Sequence, residues 1–227
     1  LRRDQRRFTE ALHLHERARD AAPRESWGRI LLNKASTLDQ MFEAEEALQV
    51  LREAAPLIEK AQDPWLREGL GYLKCVNLCH LSRYQEAEGW LRVAWPMDPR
   101  NERALINVRL LSGRVAAGLG QIAQGLESFK IVRQYLEKEQ NAYNYALVSL
   151  EEAIHRLELG QYAKAQEMVV RDMGWVFHDA GIHREALAAL TLFREAVEGA
   201  KATDALARRV HHFLLRAEKN PALRFEE

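Results

Sequence analysis

Neither charge sign prevails in this chain of 227 residues: Lys and Arg together number 33, and so do Asp and Glu. The balance is local as well, since residues 1–60 hold eleven basic and eleven acidic side chains. A surface that grips a phosphate backbone needs a basic excess, so direct nucleic-acid binding is disfavoured. Cysteine is scarce, with Cys75 and Cys79 alone, too few for a disulfide framework and in keeping with a reducing cytosol. No apolar run approaches the roughly 20 residues that a membrane-crossing helix needs. No charged-then-apolar leader with a small-residue cleavage site is seen either. A cytoplasmic protein with no membrane partner is therefore expected. Proline is rare, at six residues, and most of these are expected at helix ends. Strand-like alternation of apolar and polar residues is missing throughout.

What remains is helical periodicity, in a chain with 47% hydrophobic and 29% charged residues, the balance of an ordinary globular protein rather than a disordered one. Within it one phrase recurs: an aromatic or small turn residue, two residues, Ala-Leu or an equivalent, a large apolar residue, then Ala. The copies begin at Phe8, Ala44, Tyr84, Ile122 and Tyr162. Their small residues, Ala11, Ala47, Ala87, Gly125 and Ala165, stand 36, 40, 38 and 40 residues apart. Two antiparallel helices approach closely only where a small residue faces the partner. An aromatic at the turn fills the gap to the next pair, and each pair leaves an apolar face that a neighbour must cover.

The pattern resembles the tetratricopeptide repeat family over nearly the whole chain, most closely at Phe8 to Pro23 and Tyr84 to Pro99. The family's signature Trp is absent from its usual place, and Ala35, Cys75, Gly113 and Ala153 hold the small position of the first helices. The long spacing is similar to that of divergent arrays attached to bacterial regulators. The stretch from Gly181 to Leu190, with Pro221 and Phe225 beyond, resembles the end of such arrays. The resemblance implies an all-α fold, a right-handed α-solenoid of about six antiparallel helical hairpins forming one superhelix over 1–227. The expected hairpins span about 1–22 (partial), 25–61, 63–97, 100–139, 141–180 and a capping 182–219. Pro23, Pro64, Pro99 and Pro221 punctuate them, Asp63-Pro64 forms a cap and first-position pair, and Gly120, Gly160 and Gly181 supply turns. The charged last helix, with Arg208, Arg209, His211, His212, Arg216 and Lys219, is expected as a solvent-facing cap. Because the chain opens at Leu1 inside a helical pattern, a piece of a longer protein is expected, with a linked effector domain or further repeats.

Catalytic, cofactor and metal sites are not expected. Cys75-x-x-x-Cys79-His80 places two thiols a turn apart, but a closed zinc site needs a second ligand pair, and a small buried residue is what the repeat demands at Cys75. Glu152-x-x-His155 has di-metal spacing but occurs once, where such bundles use it twice, so a polar surface pair is expected. The remaining histidines, among them His13, His15, His178 and His183, are scattered over several hairpins. Gly118-Leu119-Gly120 follows no strand, which removes the phosphate-loop reading, and no serine sits in a Gly-x-Ser-x-Gly setting.

By the resemblance, first helices line a concave groove. Aligning the copies places Arg29, Asn33, Ser36, Gln40, Tyr72, Val76, His80, Asn107, Arg114 and Glu151 on or near it. Arg29, Asn33 and Arg114 suit a peptide carboxylate held by charge-assisted hydrogen bonds. They match the family's carboxylate clamp in residue type only, and solvated polar groups are the plain alternative. Trp27, Trp65, Trp90, Trp95 and Trp175 are expected mostly between hairpins, with interface anchoring as the rival role. The function expected is a non-catalytic protein- or peptide-binding scaffold. Its rivals are a ligand-sensing array of a bacterial transcription regulator or sigma-factor pathway, an accessory segment of a caspase-like protease or kinase, and a metal-binding helical enzyme.

Overall fold

Local sequence signals start and stop each helix, and they recur. The computed structural model describes residues 2–94, 100–179, 181–219 and 223–225; Trp95, Pro99 and Pro221 lie outside them. The described residues form eleven α-helices and no strand. They are α1 (Arg2–Ala21), α2 (Trp27–Gln40), α3 (Ala44–Ala61), α4 (Pro64–His80), α5 (Tyr84–Ala94), α6 (Glu102–Gly118), α7 (Ile122–Lys138), α8 (Ala142–Glu158), α9 (Tyr162–Glu167), α10 (Arg184–Glu198) and α11 (Asp204–Lys219). Among the described residues no helix is long and apolar enough to cross a membrane.

Side chains cap the starts of α4, α6, α8 and α10, while those of α2, α3 and α9 have no such cap. Asp63 accepts from the backbone N–H groups of Trp65 (2.9 Å) and Leu66 (3.3 Å), with Pro64 at the first helical position. Asn101 accepts from Ala104 N–H (3.1 Å) and Asn141 from Asn144 N–H (3.2 Å). His183 does the same for Ala186 N–H through Nδ1 (3.3 Å). Pro23 precedes a 3-10 turn over Arg24–Ser26, whereas Pro56 is accommodated inside α3.

Helix ends repeat more strictly. Phe42, Ser82, Gly120, Gly160 and Ala200, five of the seven positive-φ residues among those described (Gln62 and Gln140 are the others), have φ between 53° and 83° and follow one another at 40, 38, 40 and 40 residues. At each, the next residue's N–H bonds a carbonyl five residues back: Glu43 to Leu38, Arg83 to Leu78, Gln121 to Ala116, Gln161 to Arg156 and Lys201 to Ala196. The positive-φ residue itself bonds three back, as Phe42 does to Asp39 and Ser82 to Cys79. This double closure satisfies the last carbonyls of the helix it ends. Gly181 lies in a turn as expected, but without positive φ.

Two compact units are formed, one over 2–121 and one over 122–225. The division falls between α6 and α7, inside the stretch read as one hairpin over 100–139. In the first unit α2 pairs with α3 and α4 with α5, while α4 also packs on both α2 and α6. Its core includes Leu31, Ala35, Ala47, Leu51, Ala54, Ile58, Cys75, Ala87, Leu111 and Val115. Gly71 sets the α4–α5 approach, for a Cβ there would lie 2.6 Å from the backbone of Val93 and Ala94. Tyr84 covers Gly118, where any Cβ would run into the phenol ring, the gap-filling role expected of a turn aromatic, whereas Tyr162, expected to do the same, is 62% exposed.

In the second unit α8 is the central helix, with a buried stretch running unbroken from Tyr145 to Ile154. It packs on α7, on α9 and the segment after it, and on α11. After α9 the chain continues as a π turn over Met168–Asp172 and a 3-10 turn over Gly174–His178. The wider π turn, closed by Met173 N–H to Met168 C=O (3.0 Å), brings both methionines inward with Val169 and Val176.

The last helix departs from a plain solvent-facing cap. Ala207, Val210, Phe213, Leu214 and Ala217 of α11 are buried, and Tyr143 of α8 donates its hydroxyl to the Leu214 carbonyl (2.7 Å). Arg208, Arg209, His212 and Arg216 lie on its exposed side, while His211 turns inward. A Phe213–Phe225 edge contact (ring centroids 5.0 Å apart) lays the described C-terminal residues back over this helix.

Candidate functional site

The side-by-side placement of α2, α4 and α6 in the first unit brings together three of the ten expected groove residues, Tyr72, His80 and Arg114. Toward the end of α2, Asp39 stands 3.7 Å from His80 Nδ1 on α4. About two turns of α4 before His80, the Tyr72 phenol lies within electrostatic reach of Arg114 on α6, of Asp39 and of Cys75. Burial raises the Tyr72 pKa above the ordinary phenol value, with Arg114 acting against it, so the hydroxyl stays protonated. Three helices thus contribute an acid, a phenol and a guanidinium to one neighbourhood. Asp39 was missed by sequence reasoning, although its position one residue before Gln40 places it at the edge of the same face.

The other expected groove residues spread away from this cluster. Arg29, near the start of α2, donates to Asp63 Oδ2 (3.5 Å) and keeps 68% of its side chain exposed. Asn33, Gln40 and Asn107 are exposed, Ser36 is half-buried and Val76 is buried in the first unit's core. Arg29 and Arg114 therefore have different neighbours. Glu151 belongs to the second unit, where α11 covers it: it is 7% exposed and its Oε1 lies 3.1 Å from His211 Nε2.

Cys75 and Cys79 are both buried free thiols. A hydrogen bond from Cys79, together with burial, pushes the Cys75 thiol far up, so it has no thiolate character at neutral pH. Among the described residues no group of three or more His, Cys, Asp or Glu side chains converges on one point.

Glu152 requires a correction. It is 1% exposed rather than on the surface. Its carboxylate sits between two cations: Arg156 Nε donates to Oε1 (2.7 Å), and Arg133 Nε of α7 lies 3.0 Å from Oε2. Arg133 reaches further, donating to the Tyr145 hydroxyl (3.2 Å) and approaching Asp172 Oδ2 (3.6 Å). His155 leaves Glu152 alone, stacking on Phe129 at 6.0 Å and pairing with Glu158 at 3.0 Å. Helical spacing put both residues on one polar face; α7 and the π turn close over one side of it.

The tryptophans divide. Trp65 is 61% exposed at the start of α4. Trp27 is half-buried and donates its indole N–H to the Ala22 carbonyl (3.1 Å). Trp90, also half-buried, carries the Lys74 ammonium 3.8 Å above its ring, a cation–π contact that accompanies burial of the lysine stem. Trp175 meets Tyr145 edge-on at 5.2 Å.

No protein-family model, curated protein or solved structure matches the chain.

Proposed function

We propose that this chain is a non-catalytic binding module for a protein or peptide, built as a tetratricopeptide-type solenoid, and that the face of α2, α4 and α6 is its docking surface. The observation that carries this reading is the meeting of Asp39, Tyr72, His80 and Arg114 from three packed helices that also carry exposed Asn33, Gln40 and Asn107. Polar groups of both signs, anchored on rigid helices, suit recognition of an extended segment by hydrogen bonds and short-range ion pairs. The solenoid reading, of about six hairpins, is supported by the near-constant interval of the five turns at Phe42, Ser82, Gly120, Gly160 and Ala200; its right-handed sense is what the resemblance implies. In it Glu151 drops out of the groove, because α11 lies against α8.

The test compares partner recovery by the intact chain and by an Arg29→Ala, Asn33→Ala, Arg114→Ala variant, using cross-linking and mass spectrometry. We expect proteins captured by the parent chain to be lost, with helical content by circular dichroism unchanged. Equal recovery of the same proteins by both chains overturns the placement of the surface.

A further inference from the structure

A second polar concavity lies in the other unit, between elements of that unit alone. It is a cleft of about 460 Å³ between α7 and the π turn, walled by Lys130, Arg133, Gln134, Tyr145, Asp172 and Trp175. That volume falls in the range of small-molecule sites, which pair an apolar or aromatic wall with a few convergent polar groups. Lys130, Arg133 and Gln134 occupy one stripe of α7, at spacings of three and four residues.

The cations in this cleft are not equivalent. Arg133 is held by Glu152, Asp172 and the Tyr145 oxygen. Arg171, at the rim, is paired with Glu167 (2.9 Å) and Asp172 (3.4 Å). Lys130 makes no ion pair or hydrogen bond with any described residue and is exposed at the mouth. Tyr145 accepts from Arg133 but gives its own proton to no described acceptor. Burial raises its pKa, with Arg133 opposing, so it remains a donor at neutral pH. Trp175 stands against Tyr145 and gives the cleft a flat wall. Turns of π-helix recur at functional sites, and this one delivers Asp172 and, just beyond, Trp175 to the cleft.

From this geometry we infer that the α7/π-turn cleft binds a small organic carboxylate, whose charged end meets Lys130, Gln134 and the Tyr145 hydroxyl and whose flat apolar body lies on Trp175. Asp172 and Glu137 flank the donors. With Asp172 already paired with Arg133 and Arg171, it is Glu137 that disfavours a second negative charge on the ligand.

The test uses the full chain and phenylacetate as probe, read by the indole N–H resonance that disappears in Trp175→Phe. Phenylacetate should shift this signal saturably, while its neutral counterpart phenylacetamide should bind at least about tenfold more weakly, as expected for loss of a charge-assisted hydrogen bond. Lys130→Gln, at an exposed position where folding is not at stake, should reproduce that loss; Tyr145→Phe should weaken binding without moving the circular dichroism spectrum. Absence of a saturable shift overturns the inference, as does equal binding of acid and amide, or an unchanged affinity in Lys130→Gln. A shift produced by a blocked Glu-Gly peptide but not by phenylacetate also overturns it, because the cleft would then be a protein-docking feature.

Discussion

A carboxylate as enclosed as Glu152 is tolerated only because two guanidinium groups share it. Removing its charge takes from Arg133 and Arg156 the carboxylate they share, leaving Asp172, Tyr145 and Gln161 beside them, and breaking a buried ion pair costs about 3–5 kcal/mol. Glu152→Gln is therefore expected to lower stability by about 3 kcal/mol, read from the urea midpoint by circular dichroism. Glu86→Gln breaks the exposed Arg83–Glu86 pair (2.6 Å), which hydration and salt screen, and should leave the midpoint where it was. Equal effects from the two substitutions would contradict the buried network. From sequence alone the two glutamates look alike, both polar residues on amphipathic helices. What separates them is whether another helix closes over them, and no spacing within α8 reveals that.

At the scale of the element, the recurring turn sets how each helix ends. The left-handed conformation costs a non-glycine residue roughly 1–2 kcal/mol, and glycine avoids this at some expense in unfolded-state entropy. Ser82 adopts it with φ 57° and makes no side-chain contact that its replacement would lose, so Ser82→Gly should stabilise the chain by about 0.5–1 kcal/mol. Gly120 has φ 83° with nothing within 4 Å of where its Cβ would lie. Gly120→Ala should consequently destabilise by about 1 kcal/mol through the backbone alone. Thermal melts of the two variants should move in opposite directions, and a shared direction would refute the turn assignment. Gly120 and Gly160 were readable as turns because glycine announces them. Phe42, Ser82 and Ala200 were not, since their residue types argue against positive φ and only the surrounding helix pair imposes it. Gly71 was silent too, for close approach to Val93 and Ala94 exists only once α4 and α5 are packed.

For the molecule as a whole, the packing of α11 on α8 organises the second unit. Leu214 is fully buried there, and Leu-to-Ala changes in such positions cost about 2–5 kcal/mol. Leu214→Ala should lower amide protection across Ala142–Glu158 together with Asp204–Lys219 in hydrogen exchange, because α8 loses its cover along with the contact. Protection that falls in α11 alone would mean that α8 does not depend on it. The sequence by itself determined the helical periodicity, the cap at Asp63 with Pro64, the small positions Ala35, Cys75, Gly113 and Ala153, and the near-40-residue interval. Those features depend on side-chain periodicity and on hydrogen bonds between residues a few places apart, which the local sequence encodes. The tertiary structure alone decided that Glu152 is enclosed, that Glu151 faces His211 rather than a groove, and that Asp39, Tyr72, His80 and Arg114 become neighbours. Each of these depends on which helix lies across a given face, a choice made by the summed burial of distant apolar residues and not by any one segment.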